Sequence, residues 1–248
     1  MKYIIVALLV LPALLMSLLP SAESGPEDSG VAESATRRLT VVELFTSQGC
    51  SSCPPADAVL AEIDATHDDV IALSFHVDYW NYLGWKDPFS SEHFSARQRE
   101  YTAALNARTY TPQVVVNGRA EVIGSRASSV RQTIGRHGGL RLKNELSFTA
   151  STRGRKVAVR YDLEGADARY QVTALLVQPR ATSAIKRGEN RGQKLSYVNV
   201  VRAIAHQPAA TTGQLILTAP EDVAPKELEV VLLVQDAETR EVLGAVKQ

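Results

Sequence analysis

Cys50 and Cys53 are the two cysteines of a 248-residue chain, and only Ser51 and Ser52 separate them. Thiols at this spacing can cycle between dithiol and disulfide. They lie in the stretch Glu43-Leu44-Phe45-Thr46-Ser47-Gln48-Gly49-Cys50-Ser51-Ser52-Cys53-Pro54-Pro55. The apolar run over 39–45 predicts a central strand. Behind the pair, Ala58, Val59, Leu60, Ile63 and Ala65 predict a helix over 54–66. The pair therefore falls at a strand-to-helix junction, where a helix N-terminus favours a thiolate at Cys50. Pro54 and Pro55 withhold two N–H donors and limit that effect. Cys53, one step inside the helix, is expected to be more buried, which makes Cys50 the attacking nucleophile and Cys53 the resolving thiol. A bond between them closes a very short loop, whose chain-entropy gain is small. That argues for chemistry over stapling.

A second continuous apolar run, over 70–77, suits a strand buried on both faces. Strand, helix and strand make a βαβ unit with parallel strands. His76 and Asp78 then stand at the C-terminal end of the second strand, the functional edge of open α/β sheets. His76 is expected either to reach the dithiol, as proton shuttle or ligand, or to be a core histidine that orients the next loop. That loop, 79–89, holds both tryptophans and three further aromatics. It reads as a hydrophobic plug between domains, with a docking surface beside the dithiol as the alternative.

The positioning elements continue with a helix over 90–106 capped by Ser90. A strand then runs to the Asn117-Gly118 turn, and its hairpin partner covers 120–123. A last helix, 128–137, stops at Gly138-Gly139. From residue 141 seven short runs, 142–150, 156–163, 170–178, 194–206, 213–219, 227–235 and 241–246, are β-branched or alternating. They predict a small antiparallel sandwich with a domain boundary near residue 140. Residues 188–192 read as a surface turn that can fold over the first domain. His67, His93, His137 and His206 receive no role.

Hydrophobic residues make up 45% of the chain and 27 basic residues balance 27 acidic ones. This composition is that of a globular protein and offers no electrostatic footprint for nucleic acid. Met1-Lys2, an apolar run over 3–19 and the Ala22-Glu23-Ser24 sequence predict an export signal over residues 1–24, with an uncleaved membrane anchor as the alternative. Residues 25–37 read as a flexible polar tether. The expected location is periplasmic or secreted, where disulfides persist.

The order β-α-β-α-β-β-α over 38–140 resembles the thioredoxin fold. Gly49-Cys50-Ser51-Ser52-Cys53-Pro54 opens a helix after a strand, and Thr111-Pro112 precedes the third strand, where thioredoxin-like proteins hold a cis-proline facing the dithiol. The first motif, extended to Asp57, combines with His76-Val77-Asp78-Tyr79-Trp80, Gly84-Trp85-Lys86-Asp87-Pro88-Phe89, Gly188-Glu189-Asn190 and Asn199-Val200-Val201-Arg202. Together they resemble a family of exported bacterial thioredoxin-like proteins with a domain of unknown function. The resemblance implies that Thr111-Pro112 forms a wall opposite Cys50 and that Pro112 and Gln113 present backbone groups to a substrate. Glu43 is an approximate match, one position out of step, to thioredoxin's buried acid. No tryptophan precedes the first cysteine.

Three functions follow. The first is an exported thiol-disulfide oxidoreductase with protein thiols or disulfides as substrates and no cofactor. The second is similar to the Sco-type copper chaperones, with Cys50, Cys53 and His76 as ligands. The third is a non-catalytic interaction module whose dithiol senses redox state.

Overall fold

The computed structural model describes residues 39–140 and 145–248. The expected signal and tether, residues 1–37, lie outside the described residues. Among the described residues no helix is long and apolar enough to cross a membrane.

Val41, Val42, Leu44 and Phe45, on either side of Glu43, make β1 (Thr40–Thr46) a strand buried along its whole length. Pro54 and Pro55, whose missing N–H groups cost nothing in a first turn, open α1 (Pro54–Thr66). It returns the chain to β2 (Val70–His76), which pairs parallel with β1 and places Thr46 beside His76. Helix α2 is Glu92–Ala104, and its N-cap is Ser91, whose Oγ accepts the His93 N–H. The cap falls one residue later than the sequence predicts, because the Ser90 hydroxyl donates to the Asp87 carbonyl instead. Strands β3 (Gln113–Val116) and β4 (Ala120–Ile123) form a hairpin, and α3 is Ala127–His137. Asn117 and Gly118 both take positive φ, 52° and 65°, as a two-residue hairpin turn requires. A Cβ on Gly118 would meet the Arg240 carbonyl oxygen at 2.2 Å, so glycine also permits the C-terminal chain to approach.

The seven strands expected in the C-terminal half are β5 (Leu146–Arg153), β6 (Lys156–Leu163), β7 (Tyr170–Ala184), β8 (Lys194–Pro208), β9 (Thr212–Thr218), β10 (Glu229–Asp236) and β11 (Val242–Lys247). They do not form a module of their own, and the expected boundary near residue 140 is revised. Strands β7, β8, β10 and β11 join the first half in one mixed sheet of eight strands, ordered β11-β10-β7-β8-β2-β1-β3-β4. The seam is the parallel pairing of β2 with β8 at Ser74 and Val200. Without β8, β2, buried from Ile71 to His76, would present an unpaired edge. Strands β5, β6 and β9 form a second sheet. It packs on the first through Val159, Tyr161, Leu163, Leu176, Leu215 and Leu232.

Alternation along β1 sorts the core. Val42 and Leu44 face α1 with Leu60 and Ile63, whereas Val41 and Phe45 face Phe75, Phe94 and Tyr101. Glu43 shares the second face, and its carboxylate receives Arg97 Nε at 2.6 Å and Nη2 at 2.9 Å. The Tyr101 hydroxyl also donates to Glu43, and Arg97 donates to Gln235 on β10 at 3.0 Å. Burial pulls the Arg97 guanidinium down, but Glu43 outweighs it and holds Arg97 above its ordinary value. Arg97→Ala should strand a buried carboxylate and cost about 3–5 kcal/mol in denaturant unfolding. A Glu43→Leu/Arg97→Met double variant should recover most of that loss.

Candidate functional site

The dithiol loop is tied down from every side. Cys50 and Cys53 form a disulfide with their Cα atoms 5.5 Å apart, and Cys53 is the N-cap residue of α1. They are 1% and 0% exposed. Donors in the loop are almost all committed. The Gln48 N–H goes to Asp87 Oδ2 at 2.9 Å and the Gly49 N–H to Ser47 Oγ at 3.1 Å. The Cys50 N–H goes to the Ser47 carbonyl and the Cys53 N–H to the Cys50 carbonyl, both at 3.2 Å. The Ser51 N–H goes to Glu189 Oε2 at 3.1 Å. Ser52 Oγ lies 3.3 Å from Cys50 Sγ.

Glu189 arrives on the tip of the β7–β8 hairpin, which folds over the loop. Asn190, buried beside it, donates to the Gln48 and Cys50 carbonyls, each at 2.9 Å. Ser183 on β7 and Trp85 of the aromatic loop donate to Gln48 Oε1 at 3.1 and 2.9 Å. Trp80 forms another wall. A Cβ on Gly49 would lie 3.0 Å from the Trp80 Cβ, and the Trp80 indole N–H reaches Thr111 Oγ1 at 2.8 Å. The aromatic loop is mainly packing, with Phe89 buried. Tyr82 is its exposed ring, at 79%.

The residues expected to serve the dithiol divide sharply. His76 is fully buried. Its Nδ1 lies 2.7 Å from Asp87 Oδ2, and Phe89 and Tyr197 flank its ring at 5.3 and 4.8 Å between centroids. Burial pushes the Asp87 carboxyl up, but His76 and the Gln48 and Phe89 N–H groups outweigh it and hold Asp87 below its usual value. An ionised carboxylate only accepts, so Nδ1 carries the proton of this bond. His76 thus anchors the aromatic loop through Asp87. Asp78 receives the Ser95 hydroxyl at 2.5 Å, which pins β2 to α2. The expectation for Glu43 is corrected: it sits on the opposite face of β1 from α1, because residues 43 and 46 differ in parity along the strand.

The Thr111–Pro112 peptide bond is cis. Pro112 is buried and its carbonyl accepts the Gly124 N–H at 2.9 Å. The Gln113 amide donates to the Arg108 carbonyl and Glu121, and accepts from Gln98. These bonds tie Pro112 and the Gln113 side chain into the fold. Among the described residues no three His, Cys, Asp or Glu side chains form a group able to hold a metal. With Cys50 and Cys53 bonded to each other, the alternative copper set of Cys50, Cys53 and His76 is not assembled in this disulfide state.

Asp57 is the residue that sequence reasoning passes over. It lies four positions after Cys53, on the same face of α1, with its N–H on the Cys53 carbonyl at 3.1 Å. It is 7% exposed. Burial pushes its carboxyl up to about 7, with His76 and Thr46 pulling it back and Asp87 adding to the rise. Asp57 Oδ1, Ser74 Oγ, His76 Nε2 and the Tyr197 hydroxyl are buried without a hydrogen-bond partner among the described residues. Burial and then the Asp57 and Asp87 carboxylates push the Tyr197 phenol up. The usable signal in the sequence is the i+4 spacing from Cys53.

Fold and site together define a mixed α/β protein with a disulfide at a strand–helix junction, roofed by a distant hairpin. The chain belongs to the family described as proteins of unknown function (DUF1223), whose model matches residues 41–235. It is 31% identical to a protein of Agrobacterium tumefaciens solved by X-ray crystallography. That match covers 84% of this chain and 92% of the other, with a TM-score of 0.61. HBP35 of Porphyromonas gingivalis shares the fold at 14% identity and a TM-score of 0.60, over 86% of this chain and 76% of its own. The comparison with curated proteins finds no match.

An acid raised from 3.8 to about 7 on folding costs stability as pH rises between those values. Asp57→Asn removes that pH dependence. The variant should unfold at higher denaturant than the parent at about pH 8, and that advantage should shrink as the pH falls from about 7 toward 3.8. Between the two, the stability difference should change by at most about 1.4 kcal/mol for each step of one in pH. Equal pH profiles for the two oxidised proteins would place the raised carboxyl elsewhere.

Proposed function

We propose that this protein is an exported thiol-disulfide oxidoreductase with a thioredoxin-like site, acting on protein thiols and disulfides. The observation that carries the reading is a Cys50–Cys53 disulfide opening α1 with the buried Asp57 carboxyl four residues behind it. The element order from β1 to α3 and the cis bond before β3 support the thioredoxin-like comparison.

In the oxidising direction a substrate thiolate attacks Cys50 Sγ. A mixed disulfide forms as the Cys50–Cys53 bond breaks, and the electron pair of that bond leaves on Cys53. A thiolate in an apolar setting is costly, and a protonated Asp57 on the same helix face can neutralise it. A second substrate thiolate then attacks the substrate sulfur of the mixed disulfide. Cys50 leaves as thiolate, the substrate gains a disulfide, and the protein pair holds the two electrons. The reducing direction runs the same steps backwards.

The test is equilibration of the protein in glutathione redox buffers, followed by exchange with a protein disulfide. A potential of about −120 to −270 mV with turnover is expected. Cys50→Ser should abolish exchange, and Cys53→Ser should accumulate the mixed disulfide. Asp57→Asn should slow the Cys53 step and flatten its pH dependence near 7. A disulfide that resists glutathione and transfers nothing would reduce the pair to a structural link.

A further inference from the structure

The Ser51 N–H stands one peptide bond from Cys50, at the end of α1 where a thiolate would be favoured. Pro54 and Pro55 supply no donors there, and the Cys50 and Cys53 N–H groups are committed to carbonyls. The Ser51 N–H is committed to a carboxylate, Glu189 Oε2, brought by the β7–β8 tip. A carboxylate in that place has two effects with the same sign. It removes a donor from the neighbourhood of Cys50, and it sets a negative charge on the backbone of the next residue. Asn190 makes the placement firm, because its buried amide bonds the carbonyls on both sides of Gly49. Gly188, at a φ of 76°, lets the tip pass close to Trp85, with 3.3 Å from a notional Cβ to the Trp85 Cβ.

We propose that Glu189 is a positioning residue for the dithiol: it occupies the Ser51 N–H and favours the Cys50 thiol over the thiolate. The inference rests on the exchange reading above and names what regulates that site. The protein then holds a pair that is slow to attack while the hairpin tip is seated. A substrate that draws Glu189 away, through its own cationic groups, would activate Cys50 as it docks. Other charges around the pair are Lys186, Arg187 and Arg191, exposed on the same tip, and Asp57, Asp87 and His76 beneath.

The experiment uses the full chain in a Cys53→Ser background, so that Cys50 is the single thiol. Its titration is followed by thiolate absorbance and by alkylation with iodoacetamide. Glu189→Gln keeps the acceptor and removes the charge, and Glu189→Lys reverses the charge. The Cys50 thiol pKa should fall in the order Glu, Gln, Lys, by about 1 for the first step. Below the pKa, a fall of that size raises the thiolate fraction about tenfold. Nucleophilicity falls with a Brønsted slope of about 0.4–0.5, so alkylation should quicken about threefold. The difference should shrink in about 1 M salt, which screens an exposed charge. Identical Cys50 titrations in all three proteins would overturn the inference. The titration needs no exchange partner. A parent that fails in glutathione therefore sinks the oxidoreductase reading while the Glu189 series still gives its own answer.

Discussion

Asp87 accepts from three directions at once. His76 on β2, the Gln48 N–H just before the dithiol and the Phe89 N–H of its own loop all converge on one buried carboxylate. A buried charge is tolerated only when such partners replace its water. Each partner in turn belongs to a different segment. The end of β2, the turn before Cys50 and the aromatic loop are thereby held in one place. His76 is the link between strand and loop in that arrangement, which accounts for its complete burial.

The sheet separates two buried charge systems. On one face Glu43, Arg97, Tyr101 and Gln235 join β1, α2 and β10 in a closed network whose polar groups satisfy one another. On the other face Asp57, Ser74, His76 and Tyr197 retain unpaired polar atoms. The first set has the character of structure, since every member is committed. The second lies on the α1 side, behind Cys53, where burial pushes the Asp57 carboxyl up to about 7. A carboxyl kept incompletely ionised is poorly suited to stapling a fold and well suited to exchanging a proton. The contrast in satisfaction, more than burial alone, separates the two roles.

Much of the local structure is legible in the residues themselves. Two prolines after Cys53 set the start of α1, the unbroken apolar run of β2 announces a strand buried on both faces, and Asn117-Gly118 marks a hairpin. What escapes is all of long range. Nothing in residues 194–208 says that β8 will lie beside β2, since an alternating strand can complete any exposed edge. A separate sandwich domain is therefore a fair reading of local pattern and a poor one of topology. Glu43 misleads because its neighbourhood in sequence conceals which face of β1 it takes. Asp57 stands within reach of a helical-wheel argument from Cys53. Glu189 and Asn190 do not, because their bonds to the dithiol loop join segments far apart in the chain.

That topology decides what kind of site this is. A dithiol whose cover comes from its own βαβ unit would keep its properties if the rest of the chain were altered. Here the cover is the far end of a long hairpin, and its base is held by pairing with β10 on one side and β2 on the other. The tip reaches Cys50 only because the two halves share a sheet. Seating of Asn190 therefore reports on the integrity of the β2–β8 seam, some distance from the sulfurs. The seam in turn has one residue pair of parallel register to hold it, Ser74 with Val200. Burial of Val200 and of Phe89 and Tyr197 beside it supplies the rest. The cover of the disulfide thus comes in part from the C-terminal half, which carries no thiol.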